Sequence, residues 1–166
     1  MNRLKKILIP TDFSEYSLGV ISHLAMLDLP KDVKVLFLHV LSENILVEPM
    51  LDMYLKEDNV AYSRTGEAEQ YLKALAGERL VNYTRVDCVV RRGDPATEIV
   101  KLAEHDNAGL ILMATHGRTG LAHIFMGSVA EKVVRTSHVP VLTAKPPEMR
   151  QPPISAEDVR EQLHIK

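Results

Sequence analysis

The chain has 166 residues, 46% of them hydrophobic and 25% charged, with a formal net charge of −2. That size and composition describe one ordinary globular domain with a sizeable core. The near-neutral balance and scattered basic residues give no electrostatic case for nucleic acid or an acidic membrane as a partner. The apolar stretch after Met1-Asn-Arg-Leu-Lys-Lys6 ends at Pro10, too short for a signal h-region or a membrane span. A single cysteine, Cys88, permits no internal disulfide, in keeping with a reducing cytoplasm.

In chain order, Leu4 to Pro10 reads as the first strand, followed by the turn Thr11-Asp12-Phe13-Ser14. Ser14 is a good N-cap for a first helix from about Glu15 to Leu27, with Leu18, Ile21, Leu24 and Ala25 on one face. Val33 to Val40 is apolar nearly throughout and reads as a buried second strand, with His39 as a core histidine. Residues 41–58 mix Pro49 and acidic residues with Met50, Leu51, Met53, Tyr54 and Leu55, and read as a long loop serving as a lid, a partner surface or a plain surface excursion.

A second helix is predicted from about Val60 to Leu80, interrupted near Gly77, its buried stripe drawn from Tyr62, Ala68, Tyr71, Leu72, Leu75 and Ala76. Val81 to Arg91 alternates Val86, Cys88 and Val90 with charged residues, the pattern of a half-exposed edge strand in which Cys88 is a buried structural thiol. Asp94 then caps a third helix with Pro95 at its first position, ending near His105-Asp106-Asn107.

Leu110 to Met113 is a short unbroken apolar run, so a strand buried on both faces. Thr115 to Gly120 is a polar, glycine-containing turn, and Gly127-Ser128 opens a fourth helix, Val129 to Thr136. Strand, glycine turn and helix N-terminus together can form a phosphate site, because glycines let N–H groups approach an anion and the helix end supplies unpaired donors. The same residues also serve a plain βα connection. Neither Gly-x-Gly-x-x-Gly nor the Walker A pattern is present. Val139 to Ala144 is the fifth strand, and Pro146-Pro147 and Pro152-Pro153 lead into a short helix from Ser155 to Leu163. Two parts follow, an α/β domain over residues 1–145 and a Pro-rich linker with a C-terminal helix over 146–166.

Ala114-Thr-His-Gly117, nine residues, and then Gly127-Ser128 resemble the Gly-x-x-Gly, nine residues, Gly-[Ser/Thr] motif of the universal stress proteins, as does the opening Lys-Lys-Ile-Leu-Ile-Pro-Thr-Asp-Phe-Ser. The resemblance spans about residues 3–145 and departs from the motif at Ala114, where the family has glycine and where alanine tolerates a positive φ poorly.

Alternating strands and helices predict an α/β fold with a parallel sheet. The resemblance implies a single doubly wound, Rossmann-like, five-stranded sheet of order 3-2-1-4-5, helices on both faces, with strands one and four meeting at the switch point where such sheets bind ligands. It further implies ATP at that point. Pro10 and Val40 would flank adenine. Thr11 and Asp12 would sit by sugar and phosphates, with Asp12 as a Mg2+ ligand. Met113, Ala114, His116, Gly117 and Arg118 would follow the sugar and first phosphate, and Gly127, Ser128 and Val129 would hold the outer phosphates. Plainer alternatives stand beside these: Asp12 can cap the first helix or pair with a nearby base, His116 can pack the turn and Arg118 can face solvent. His123 and His138 read as surface residues.

No nucleophile and base are paired and the Walker A lysine is missing, so the expectation is an ATP-binding stress-response protein with at most slow hydrolysis. A nucleotide-free dimeric interaction module and an adenylyl transferase are the alternatives. The resemblance also implies a homodimer through strand 139–144, whose bare apolar edge would otherwise invite aggregation.

Overall fold

The apolar runs become the five strands of one parallel sheet. β1 (Lys6–Thr11), β2 (Lys34–Leu41), β3 (Arg85–Arg92), β4 (Leu110–Ala114) and β5 (Val141–Ala144) lie in the order β3-β2-β1-β4-β5, as expected. Between them run α1 (Glu15–Gly19), α2 (Tyr62–Arg79), α3 (Pro95–His105) and α4 (Ser128–Thr136). The structure, a computed structural model, describes residues 4–30, 32–42, 62–115 and 126–145. Most of the loop read at 41–58, the residues from His116 to Gly120, His123 and the tail from Pro146 lie outside the described residues.

Period-two alternation sorts each strand onto two cores. Ile7, Ile9, Val35 and Phe37 pack with Leu18 of α1 and Leu72 and Leu75 of α2. Leu8, Leu36, Leu38 and Ile111 pack on the opposite face with Ile99 and Leu102 of α3 and Val133 of α4. Because both faces are covered, the interior strands need no polar alternation. Each fully buried Leu or Ile contributes about 1.5–3 kcal/mol relative to exposure. β3 forms one edge: Val86, Cys88 and Val90 lean on the first core, and Arg85, Asp87, Arg91 and Arg92 are exposed. Cys88 is half-buried, and desolvation, the largest cause, raises its thiol pKa despite the lowering effect of Lys73.

Several boundaries differ from the sequence expectation. The first helix keeps α-helical pitch only to Gly19 and then tightens into a 3₁₀ segment, Val20–Met26. Gly19 and the β-branched Val20 and Ile21 are weak helix formers, and the Ser22 hydroxyl donates to the Gly19 carbonyl at 2.7 Å. α2 runs through Gly77 without a break, and Tyr71 of its expected stripe is 39% exposed. β3 begins only at Arg85, because Tyr83 N–H turns back to the Leu80 carbonyl at 2.9 Å. β5 begins at Val141: the Val139 N–H is taken by Ser137 Oγ at 3.0 Å, and Pro140 has none to give.

Caps behave as expected. Ser14 accepts from Ser17 N–H at the start of α1, and Asp94 accepts from Thr97 N–H before Pro95 in α3. α3 ends with Asn107 at φ 53 and a bond from Ala108 N–H to the Ala103 carbonyl, a Schellman-type closure.

Candidate functional site

The switch point lies between β1 and β4. Their ladder pairs Ile7 with Leu110 and Leu8 with Ile111, while both strands run on for three more residues. Pro10 accounts for the loosening. The Lys6 carbonyl faces β4, accepting from Gly109 N–H at 2.9 Å. By alternation Leu8 and Pro10 face the same side, and Pro10 has no N–H to donate there. A proline inside an interior strand thus weakens the sheet at the one place where a parted pair of carboxyl ends makes a crevice.

On the β1 side, a chain of hydroxyls shapes the turn. Ser17 Oγ donates to the Ser14 carbonyl at 2.9 Å, so the 2.8 Å contact between Thr11 Oγ1 and Ser17 Oγ has Thr11 as donor. Thr11 Oγ1 accepts from Phe13 N–H at 3.0 Å, and Ser17 Oγ from Asp12 N–H at 3.3 Å. Asp12 Oδ1 accepts from Ser14 N–H at 3.1 Å and from the Ser14 hydroxyl. Asp12 does not cap α1, a role taken by Ser14; its carboxylate instead accepts from the Ser14 N–H, and it stands half-buried at the carboxyl end of β1. Thr11 is in register with His39, which sets Asp12 level with Val40, a half-buried residue on the second core. His39 is 2% exposed, as a core histidine should be, and its Nδ1 contacts the Thr11 carbonyl at 2.9 Å.

On the β4 side, Met113, Ala114 and Thr115 are all buried. Thr115 N–H donates to the Ala144 carbonyl at 3.1 Å, and the Thr115 carbonyl accepts from Gly127 N–H at 2.7 Å. That last bond brings the start of α4 back to the carboxyl end of β4. Gly127 is the N-cap of α4 and supplies no side-chain cap, whereas Ser14 and Asp94 cap α1 and α3 with their oxygens. The first bond back within α4 runs from Glu131 N–H to the Gly127 carbonyl at 2.9 Å. The N–H groups of Ser128, Val129 and Ala130 precede it and have no acceptor inside the helix. A cap side chain would compete for them; glycine does not.

Ala114 answers one sequence expectation differently. It is the last residue of β4, paired with Ala144. Among the described non-glycine residues, positive φ occurs at Phe13 and Asn107, not at Ala114. The backbone there needs no glycine. Pro10, Thr11, Asp12, Val40, Met113, Ala114, Gly127, Ser128 and Val129 all lie at the carboxyl ends of β1, β2 and β4 or the start of α4. His116, Gly117 and Arg118 lie outside the described residues. Sequence reasoning assigned no site role to Phe13, Ser17 or Thr115, although hydroxyls at 11, 14 and 17 hint at a bonded turn. Among the described residues, no group of three or more His, Cys, Asp or Glu side chains could hold a metal ion.

The universal stress protein family model matches residues 3–145. The chain belongs to the universal stress protein family. It is 36% identical to Universal stress protein MJ0531 of Methanocaldococcus jannaschii over 153 residues, covering 88% of this chain and 85% of that one. The solved structure of MJ0577 from the same organism, itself named a universal stress protein, matches with a TM-score of 0.72 at 33% identity, over 90% of this chain and 98% of that one. A universal stress protein family structure from Arabidopsis thaliana, solved with AMP bound, shares the fold at 14% identity, with a TM-score of 0.57 over 93% of this chain and 99% of that one. The universal stress protein fold and the 3-2-1-4-5 sheet thus agree.

Proposed function

We propose that this universal stress protein binds an adenine nucleotide, ATP with Mg2+, in the crevice between the carboxyl ends of β1 and β4, and acts as a stress-response regulator rather than an efficient ATPase. The observation that carries the reading is the Gly127 N–H bond to the Thr115 carbonyl, which sets the uncapped start of α4 beside the switch point. Backbone donors at a helix N-terminus suit phosphate. The AMP-bound relative of the same fold supports an adenine ligand.

In this reading Pro10 and Val40 flank the base, Thr11 and Asp12 stand by sugar and phosphates, Met113 and Ala114 line the sugar, and Gly127, Ser128 and Val129 hold the outer phosphates. His116, Gly117 and Arg118 complete the loop. Asp12 with phosphate oxygens is a hard oxygen set suited to Mg2+, which is commonly held by one or two carboxylates plus phosphates. Backbone donors and hydroxyls bind phosphate and one carboxylate holds the cation, but none is an activated nucleophile, so hydrolysis is slow. The test is the nucleotide content of the purified protein, followed by calorimetric titration with ATP and Mg2+. Bound or saturably binding ATP supports the reading; neither, in folded protein, overturns it.

The alternative is a nucleotide-free interaction module. Both readings include a homodimer through residues 139–144, favoured by the half-buried Val139 and Val141 and by Leu142, 37% exposed on the edge strand β5. Among the described residues no helix is long and apolar enough to cross a membrane, and we place the protein in the cytoplasm. We divide the chain into the 1–145 domain and an appended 146–166 segment.

A further inference from the structure

Phe13 has a left-handed backbone, φ 66, between the aspartate of the candidate site and the cap of α1. Glycine or asparagine is the ordinary choice for such a position, and a bulky aromatic there is an outlier. Its ring shows what holds it. The side chain is only 9% exposed and stacks on His39, with centroids 3.9 Å apart and planes 20° apart. Tyr71 of α2 meets it edge-on at 4.9 Å and 73°. His39 in turn contacts the Thr11 carbonyl through Nδ1 at 2.9 Å.

Asp12 is therefore held from both sides. Before it, Thr11 is tied to His39. After it, the left-handed residue 13 brings Ser14 N–H and the Ser14 hydroxyl back onto Asp12 Oδ1. The same ring connects the two holds, because it stacks on the histidine and belongs to the residue that turns. We propose that Phe13, clamped on His39, is a positioning residue that sets the Asp12 carboxylate toward the cation and sugar of a bound nucleotide. The inference rests on the nucleotide reading above and adds a residue to it that touches no ligand.

The test is calorimetric ATP titration in Mg2+ on the wild-type chain, Phe13→Leu, Phe13→Tyr, Asp12→Asn and the double variant Asp12→Asn/Phe13→Leu, each checked for folding by circular dichroism. Leu keeps apolar bulk and loses the stack; Tyr keeps the ring; Asn keeps the oxygen that Ser14 bonds and removes the charge. Loss of an orienting outer residue at a metal site weakens binding about 10- to 100-fold, and that loss is expected for Phe13→Leu. Phe13→Tyr should bind as the wild type does, and the double variant no more weakly than Asp12→Asn. Should Phe13→Leu fail to fold, Phe13→Gly suits the positive φ without the ring and should show the same loss. Wild-type affinity in Phe13→Leu, or an equal loss on top of Asp12→Asn, would overturn the positioning role while leaving nucleotide binding intact. A wild-type chain that binds no ATP would overturn both.

Discussion

Lys132 Nζ donates to Asp94 Oδ1 at 2.8 Å, so a side chain one turn into α4 grips the N-cap of α3. The Lys132 bond first, and the Thr97 bonds next, hold the Asp94 carboxyl at about 2, below its ordinary 3.8. A lowered folded-state pKa stabilises the fold above the unfolded value and loses that contribution as pH falls from about 4 through about 2. The carboxylate is half-exposed, so solvent screening limits the ion pair to about 0.2–1 kcal/mol. Asp94→Asn should keep the cap and show a shallower loss of stability over that pH range. Asp94→Ala should cost about 1 kcal/mol more through the lost cap, a Tm drop of roughly 2–4 °C. Thermal melts from about pH 2 to about pH 5, which cover the folded and the unfolded values, check both.

Gly127 has φ −68 and ψ 152, angles any residue adopts. Gly127→Ala should therefore fold normally, and a weaker ATP affinity would report close approach of the ligand, not backbone strain. Ser128→Ala should weaken ATP roughly ten- to a hundredfold, the equivalent of one hydrogen bond to a charged group. If both variants titrate like the wild type, the phosphates are not held at α4.

Ala114→Gly restores the family's motif residue, yet Ala114 is extended, buried and paired in β4. The glycine should lower stability by roughly 0.5–1 kcal/mol through added chain entropy in the unfolded state and leave ATP affinity unchanged. Denaturant unfolding and titration measure the two effects separately. A marked gain in affinity would show that the methyl group obstructs the sugar.

Leu142 is 37% exposed on the edge strand β5. A charge there should block pairing with a second copy without disturbing the two cores. Leu142→Glu is expected to be monomeric by light scattering where the wild type is dimeric, with an unchanged circular dichroism spectrum. A monomeric wild type would remove this interface.

Much of the molecule was legible one segment at a time. The caps at Ser14 and Asp94-Pro95 were readable because a cap depends on residues three positions apart. The buried strands were readable because covered sheets show unbroken apolar runs. The half-exposed edge at β3 was readable from its alternation. Other features depend on groups distant in sequence. Phe13 is left-handed because His39, on another strand, and Tyr71, on another helix, hold its ring. Ala114 proved extended because β5 pairs with it.

The sequence by itself determined the alternation of strands and helices, the core-facing residues apart from the exposed Ala25 and Tyr71, and, through family resemblance, the sheet order. The first two follow from periodicity along the chain; the sheet order is what the resemblance implies. Tertiary structure alone decided that Pro10 loosens β1 from β4, that Gly127 returns to Thr115, and that Phe13 and His39 enclose the turn bearing Asp12. Those relationships are hydrogen bonds and ring contacts between segments that only folding makes neighbours, and no local propensity encodes them.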